Sequence, residues 1–193
     1  MDQTLLNNYQ IILASQSPRR QQLLKELGLN FTIEVREVDE VYPGHLQREE
    51  IPVYLAQLKA KAFENSISEN QLLITADTIV WLNNQVLGKP TDFADAFKML
   101  QSLSGNTHTV YTGVCLKSSK KESSFWAKTD VHFKTLSDEE ITSYLNTHKP
   151  YDKAGAYGIQ EWIGYIGIEH IEGSYFNVMG LPVQKLYEQL KQF

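Results

Sequence analysis

Short apolar runs alternate with segments of helical periodicity along the first half of the chain. Residues 11–14 are uniformly apolar, as expected of a buried strand end. Ser17 then predicts a helix N-cap, and Pro18 suits the first helical position, where a missing N–H costs nothing. The amphipathic run 19–27 follows, and Gly28 stops it. Residues 31–35 read as a second strand and 36–46 as a polar loop turning at Pro43-Gly44. Residues 51–65 read as a helix with Tyr54, Leu55, Leu58 and Ala62 on its apolar face.

The most strand-like run is 72–81, apolar on both faces as a central strand would be. Asn83-Asn84 is a hairpin-type turn, and 85–87 returns. Thr91 is expected to cap a helix running to about residue 102. Two β-rich runs, 107–118 and 123–135, predict a long hairpin. Ser137 with Glu140 matches a capping box, opening a helix to about residue 147. Residues 163–171 read as short strands, Gly173-Ser174 as a turn, and Leu181-Pro182 as the opening of a C-terminal helix. Early alternation with a later hairpin predicts an α/β fold: a mixed twisted sheet with flanking helices, two lobes around a cleft, in one domain over 1–193.

Composition narrows the partners. The 193 residues suffice for a sizeable core, and a 42% hydrophobic, 21% charged composition is that of an ordinary globular chain. A formal net charge of −5 argues against a broad nucleic-acid surface, so an anionic ligand must be met by a local cluster of cations. Cys115 is the only cysteine, which rules out an intrachain disulfide and a thiolate zinc site and suits a reducing cytoplasm. Met1-Asp2-Gln3-Thr4 opens without a basic region or long apolar run, so neither a signal peptide nor a membrane span is expected.

The candidate chemistry is phosphate chemistry. The Ser15-Gln16-Ser17-Pro18-Arg19-Arg20 turn gathers two hydroxyls, a helix N-terminus and two guanidiniums. Two cations at the positive end of a helix dipole are unfavourable unless an anion arrives, so the turn is either an anion site or a solvated pair on a capped helix. Asp77 lies inside an apolar strand, where a carboxylate needs a cation, a metal or hydrogen bonds. Either Asp39 or Glu40, converging with Asp77, would make an oxygen-ligand site for Mg²⁺ or Mn²⁺. Lys89, between Gly88 and Pro90, has stiff neighbours that suit a phosphate contact, and Lys59 could act likewise from its helix. Standard P-loop, dinucleotide, nucleophile-elbow and zinc-protease motifs are missing, and the five histidines lack ligand spacing.

These motifs, in this order, resemble the Maf family of nucleoside triphosphate pyrophosphatases. The matching pieces are Leu13-Ala14-Ser15-x-Ser17-Pro18-Arg19-Arg20, Leu55-Ala56-x-x-Lys59-Ala60, Ala76-Asp77-Thr78-Ile79-Val80, Gly88-Lys89-Pro90 and the run from Asp152 to Gln160. Leu103-Ser104-Gly105-x-Thr107-His108, Gly173-Ser174-Tyr175 and Gly180-Leu181-Pro182 also fit, so the likeness covers essentially the whole chain. It implies a fold like that of inosine triphosphate pyrophosphatases. It also implies a cytosolic enzyme that uses a divalent cation to split a nucleoside triphosphate between the α and β phosphates, allows a homodimer, and carries an association with arrest of cell division.

The Asp77-Thr78 pair and the run ending at Gln160 look like the branch preferring dTTP and UTP rather than 7-methyl-GTP. Arg19, Thr78 and Gln160 occupy the positions that branch uses for base preference, and Asp77 matches its proton acceptor. Two departures stand out: Gln16 where a small residue is frequent, and Glu161-Trp162 where Gly commonly follows the glutamine. The expected roles are then Asp77 acting on water, Glu40 joining it at a metal, Arg19, Arg20, Lys59 and Lys89 neutralising the triphosphate, and Ser15 and Ser17 donating to phosphate oxygens. The competing reading is a nucleotide-binding regulator of division without significant catalysis. A third is a house-cleaning enzyme for other triphosphates such as ITP.

Overall fold

A computed structural model describes residues 9–193, and the opening tetrapeptide read above for targeting lies outside them. In chain order the elements are β1 (Gln10–Leu13), α1 (Pro18–Glu26), β2 (Phe31–Ile33), α2 (Glu50–Lys61), β3 (Gln71–Leu82), β4 (Gln85–Leu87) and α3 (Phe93–Leu103). There follow β5 (Thr107–Lys117), β6 (Glu122–Phe133), α4 (Asp138–His148), a 3-10 turn (Ala154–Ala156), α5 (Trp162–Gly167), β7 (Ile168–Glu172), α6 (Tyr175–Met179) and α7 (Val183–Gln192). The strands form a seven-stranded mixed sheet in the order β2-β1-β3-β5-β6-β7, with β4 paired to β3. β1 runs parallel to β2 and β3, while the β3–β4 and β6–β7 pairs are antiparallel.

The expected α/β class is present, with differences in detail. The helix expected at 51–65 ends at Lys61, and the strand at 31–35 ends at Ile33. Asp92, not Thr91, caps α3: its carboxylate accepts from Asp95 N at 2.8 Å, while Thr91 N donates back to Asp95 Oδ2 at 3.0 Å. The expected strands at 163–171 are a helix, α5, followed by β7. The β-branched residues there suggested strand. Ile163 is buried while Trp162 and Tyr165, spaced i, i+3, are exposed, which is a helical division of faces. The Ser137–Glu140 capping box forms in full at the start of α4.

The chain divides into two compact units, and β3, β5 and β6 contribute a segment to each. In the unit built from 1–77, 112–127 and 180–193, Ile12, Ala14, Leu73 and Cys115 pack with Ala56, Ala60 and Phe63. Burial pushes the Cys115 thiol up to about 11, so it is core and not nucleophile. Alanines at i, i+4 let α2 approach its neighbours closely, and the buried Thr75 hydroxyl donates to Ala56 O at 2.7 Å. At the start of α2 the backbone comes closer still. A Cβ on Gly113 would lie 2.4 Å from the Pro52 carbonyl and Val53 N.

In the unit built from 78–111 and 128–179, His108, Phe133 and Tyr157 form an aromatic cluster with ring centroids 5.2 to 5.6 Å apart. His108 Nε2 lies 2.7 Å from the Tyr157 hydroxyl. Desolvation lowers the His108 pKa from 6.5 to about 3, with the Asp130 carboxylate opposing. Gly155, at φ 70°, packs against Val80 and donates its N–H to Gly88 O at 3.0 Å.

Two measurements test this packing. Gly113→Ala should lower stability by about 3 kcal/mol in thermal unfolding, because backbone must move, whereas Gly44→Ala should be near neutral. Gly44 has open space around its built Cβ. His108 holds its proton below about 6.5 when unfolded and not until about 3 when folded. Its contribution to stability is therefore intact above 6.5 and is lost as pH falls, at up to about 1.4 kcal/mol per pH unit. Urea unfolding between pH 4 and 7 should show a shallower loss for a folded His108→Gln variant than for the native chain.

Candidate active site

After β1 the chain turns at Ser15–Ser17 and enters α1. Ser15, which is buried, accepts from Ser17 N at 3.2 Å, and Ser17 caps the helix by accepting from Arg20 N at 3.5 Å. Acceptance leaves each hydroxyl proton available for donation. Ser15 O in turn accepts from Gln21 Nε2 at 3.1 Å, which pins the turn to the first coil of the helix.

Arg20 reaches away from the turn. Its Nε donates to Gly180 O and its Nη1 to Ala76 O, both at 2.8 Å. β1 pairs with β3 along 71–74 and β4 along 80–82, so 75–79 lie outside both ladders. The guanidinium thus meets a main-chain carbonyl in the gap between the β1 and β4 pairings. Burial lowers the Arg20 pKa from its ordinary value, with the Asp77 carboxylate opposing and Arg19 adding to the fall. Arg19 is half-buried beside it.

Asp77 lies in the same stretch of β3, between its pairings with β1 and β4, and is buried. Lys59 Nζ donates to Asp77 Oδ1 at 2.6 Å and lies 3.0 Å from Glu40 Oε1. The Lys59 and Asp77 side chains are only 16% and 11% exposed, against 50% for Glu40. Sequence periodicity set Lys59 off the apolar face of its helix. The small residues Ala56 and Ala60 flanking it let the helix settle until the lysine stem is half-buried.

Glu40 comes from the polar loop, whose start is held by Arg36. That guanidinium donates to Ala62 O at 2.8 Å and lies 4.2 Å over the Phe63 ring. Of the acidic pair 39–40, Glu40 is the member that meets Lys59. Two carboxylates converging on one point supply oxygen donors suited to Mg²⁺ or Mn²⁺. Among the described residues no group of three or more His, Cys, Asp or Glu gathers as a metal cage.

Thr78, half-buried, continues β3 into the second unit, which also holds Lys89 and Gln160. Lys89 is exposed between Gly88, whose carbonyl is bound by Gly155 N, and buried Pro90. That bond joins the lysine turn to the Asp152–Gln160 run. The side-chain oxygen Oε1 of Gln160 is buried and has no hydrogen-bond partner among the described residues. Leaving such an acceptor unpaired costs about 1–3 kcal/mol, which a donor on a ligand would recover.

Sequence reasoning missed the polar frame around that glutamine. Lys153 is buried, with Nζ 2.7 Å from Asp152 Oδ1 and 3.1 Å from Glu161 Oε1. Tyr144 of α4 donates a short hydrogen bond to Glu161 and accepts from Gly158 N at 3.1 Å. Burial, then the Glu161 carboxylate, raises the Tyr144 pKa and keeps the phenol protonated. The available signal was a lone lysine in a run of small residues. Glu161, a departure from the family pattern, is matched by that lysine.

A family model described as "Maf-like protein" matches residues 10–193. The chain belongs to the Maf family. Maf relatives similar to it over nearly their full length include a protein of Bacteroides fragilis, 53% identical over 188 residues with 97% of each chain covered. Another, from Phocaeicola vulgatus, is 55% identical over 188 residues, again covering 97% of each. A third, from Flavobacterium johnsoniae, is 54% identical, covering 96% of this chain and 95% of its own. Each of the three is named dTTP/UTP pyrophosphatase. Among solved structures, the Staphylococcus aureus Ham1 protein is similar at 16% identity and a TM-score of 0.45, over 64% of this chain and 71% of that one.

The two bonds of Arg20 generate a stability prediction. Arg20→Ala removes two charge-assisted bonds to main-chain carbonyls and should cost about 3 kcal/mol or more in urea unfolding. Arg20→Lys should recover part of this, since a single ammonium replaces a two-pronged donor. A fully stable Arg20→Ala chain would remove the guanidinium from this role.

Proposed function

We propose that this Maf-family chain is a nucleoside triphosphate pyrophosphatase that hydrolyses dTTP and UTP to the monophosphate and pyrophosphate. The observation that carries the reading is the buried Asp77 carboxylate, paired to Lys59 and neighboured by Glu40, inside an apolar central strand. The names of the relatives at 53–55% identity support the substrate pair. A pair of buried charges adds little to stability after desolvation, so its presence favours a chemical role.

In this reading a water oxygen bonds to the α-phosphorus, the bond from that phosphorus to the α–β bridging oxygen breaks, and pyrophosphate leaves with that oxygen. Asp77 takes the proton that the water gives up. Arg19, Arg20, Lys59 and Lys89 offset the negative charge of the triphosphate, and the Ser15 and Ser17 hydroxyls donate to its oxygens. Thr78 and Gln160, with Arg19, set base preference. The free Gln160 Oε1 matches the imide N–H that thymine and uracil share.

Asp77 and Glu40 would hold Mg²⁺ or Mn²⁺ together with substrate oxygens and water. When bound, the ion supplies Lewis-acid stabilisation of phosphate charge. The family resemblance alone extends the reading to one domain over the chain, a cytoplasmic location, a homodimer and a part in septum formation. No helix of the described residues is long and apolar enough to cross a membrane.

The test is pyrophosphate release from a panel of dTTP, UTP, dCTP, ITP and 7-methyl-GTP with Mg²⁺ or Mn²⁺. The expected result is preference for dTTP and UTP. Asp77→Asn, which keeps shape and removes charge, should lower turnover by roughly 10²–10⁴-fold in a chain that still folds. A folded Asp77→Asn enzyme of native activity would overturn the role of Asp77. A native chain that binds these nucleotides without releasing pyrophosphate would favour the regulator instead.

A further inference from the structure

Gln160 is the third residue of a tight turn. Glu161 N donates to Gly158 O at 3.0 Å, closing the four-residue turn 158–161 on itself. Side chains close it a second time. Gly158 N donates to the Tyr144 hydroxyl at 3.1 Å, and that hydroxyl donates to Glu161 Oε2. The result is a ring of bonds running from the first residue of the turn, through a tyrosine on a separate helix, to the last residue and back along the main chain.

The ring is braced from outside. Glu161 Oε1 is 3.1 Å from Lys153 Nζ, an ammonium only 10% exposed, so the carboxylate uses both oxygens. Tyr144 is fully buried on α4 and its ring stacks on His148 at 4.8 Å, which leaves its hydroxyl little freedom. Gly158 leaves room for the carboxylate: a Cβ there would come 2.8 Å from Glu161 Cδ and 3.0 Å from its Oε2 and would displace it. Glu161 O then accepts from Gly164 N at 2.9 Å, tying the turn to α5.

On the turn itself a polar side-chain atom is left over, the buried Gln160 Oε1, which has no hydrogen-bond partner among the described residues. An acceptor held rigidly and unpaired discriminates between ligands that offer a proton and ligands that do not, because the latter leave it unsatisfied. Thymine and uracil offer N3–H, whereas cytosine presents an unprotonated N3 at the same place. Discrimination depends on the acceptor staying where it is, since a displacement of about 1 Å can cost as much as 10²-fold.

We propose that Glu161 is a positioning residue for base selection: by bridging Tyr144 and Lys153 it locks the 158–161 turn and aims Gln160 Oε1 at the imide N–H of a pyrimidine triphosphate. The proposal rests on the reading of Gln160 as the base-contacting amide. Glu161 touches no substrate. It acts through the turn, and the charge it brings beside the base contact is offset by Lys153.

The test compares kcat/KM for dTTP and dCTP in the native enzyme and in Gln160→Ala, Glu161→Ala, Tyr144→Phe and the double variant Gln160→Ala/Glu161→Ala. The native enzyme should favour dTTP, and Gln160→Ala should lose most of that preference. Glu161→Ala and Tyr144→Phe should each lower the dTTP:dCTP ratio by about 10-fold, more through KM than through kcat. The double variant should lose no more preference than Gln160→Ala alone, because both changes remove the same contact.

A folded Glu161→Ala enzyme with the native ratio overturns the proposal. If that variant does not fold, Tyr144→Phe decides it, since it keeps the ring and removes only the hydroxyl. A native enzyme without dTTP hydrolysis overturns the proposed reaction. A discriminating native enzyme whose ratio is unmoved by Gln160→Ala overturns the base-reading role and the positioning role together, with the hydrolysis left standing.

Discussion

A carboxylate inside an apolar strand must be paired, and the first unit is arranged around pairing Asp77. The partner cannot come from the strand itself, which carries no cation. It comes from α2, and a lysine on that helix reaches Asp77 only because the helix lies unusually close. Ala56 and Ala60 remove side-chain bulk on the buried face, and Gly113 removes the Cβ that would meet the backbone at Pro52. Close packing is therefore the cause, and the 2.6 Å ion pair the consequence. Arg20 serves the same arrangement from another side, holding the main chain at Ala76 one residue before the carboxylate.

The second unit repeats the device with different elements. Lys153, like Lys59, is a nearly buried ammonium between two carboxylates, one sheltered and one exposed. Asp152 and Glu40 are the exposed partners, at 64% and 50%. Such arrangements satisfy charge but gain little stability, because desolvation offsets the attraction. Their value is geometric. In the first unit the pair holds the Asp77 carboxylate in place. In the second it holds a turn whose amide has a spare acceptor.

The two lysines differ in what a ligand would change. Lys59 and its carboxylates would be redistributed by an arriving polyanion or cation, since Glu40 is half-exposed and carried on a loop. Lys153, Glu161 and Tyr144 are bound to one another through the Glu161 carboxylate, which uses both oxygens. The proposed reaction fits the first kind of arrangement and the proposed base selection the second, because selection needs a contact that does not adjust to the wrong partner.

The sequence by itself determined the elements whose signals are local. Ser17 caps α1, Ser137 and Glu140 box α4, and Asn83-Asn84 turns the hairpin, because each depends on chemistry within four residues. The α/β class and Asp77 as an anomalous carboxylate were legible for the same reason. Residues 163–167 are helix where strand was expected, because β-branched composition outweighs so short a helix, while 168–171 are strand as expected; Thr91 yields to the better cap next to it. Only tertiary structure decided which lysine meets Asp77, which of Asp39 and Glu40 joins it, and that Arg20 serves main-chain carbonyls. It also turned Glu161 from an intruding charge into a brace. Each of these depends on contacts between residues at least eight apart in the chain, set by how closely helices settle on the sheet or on one another, and no local pattern encodes that distance.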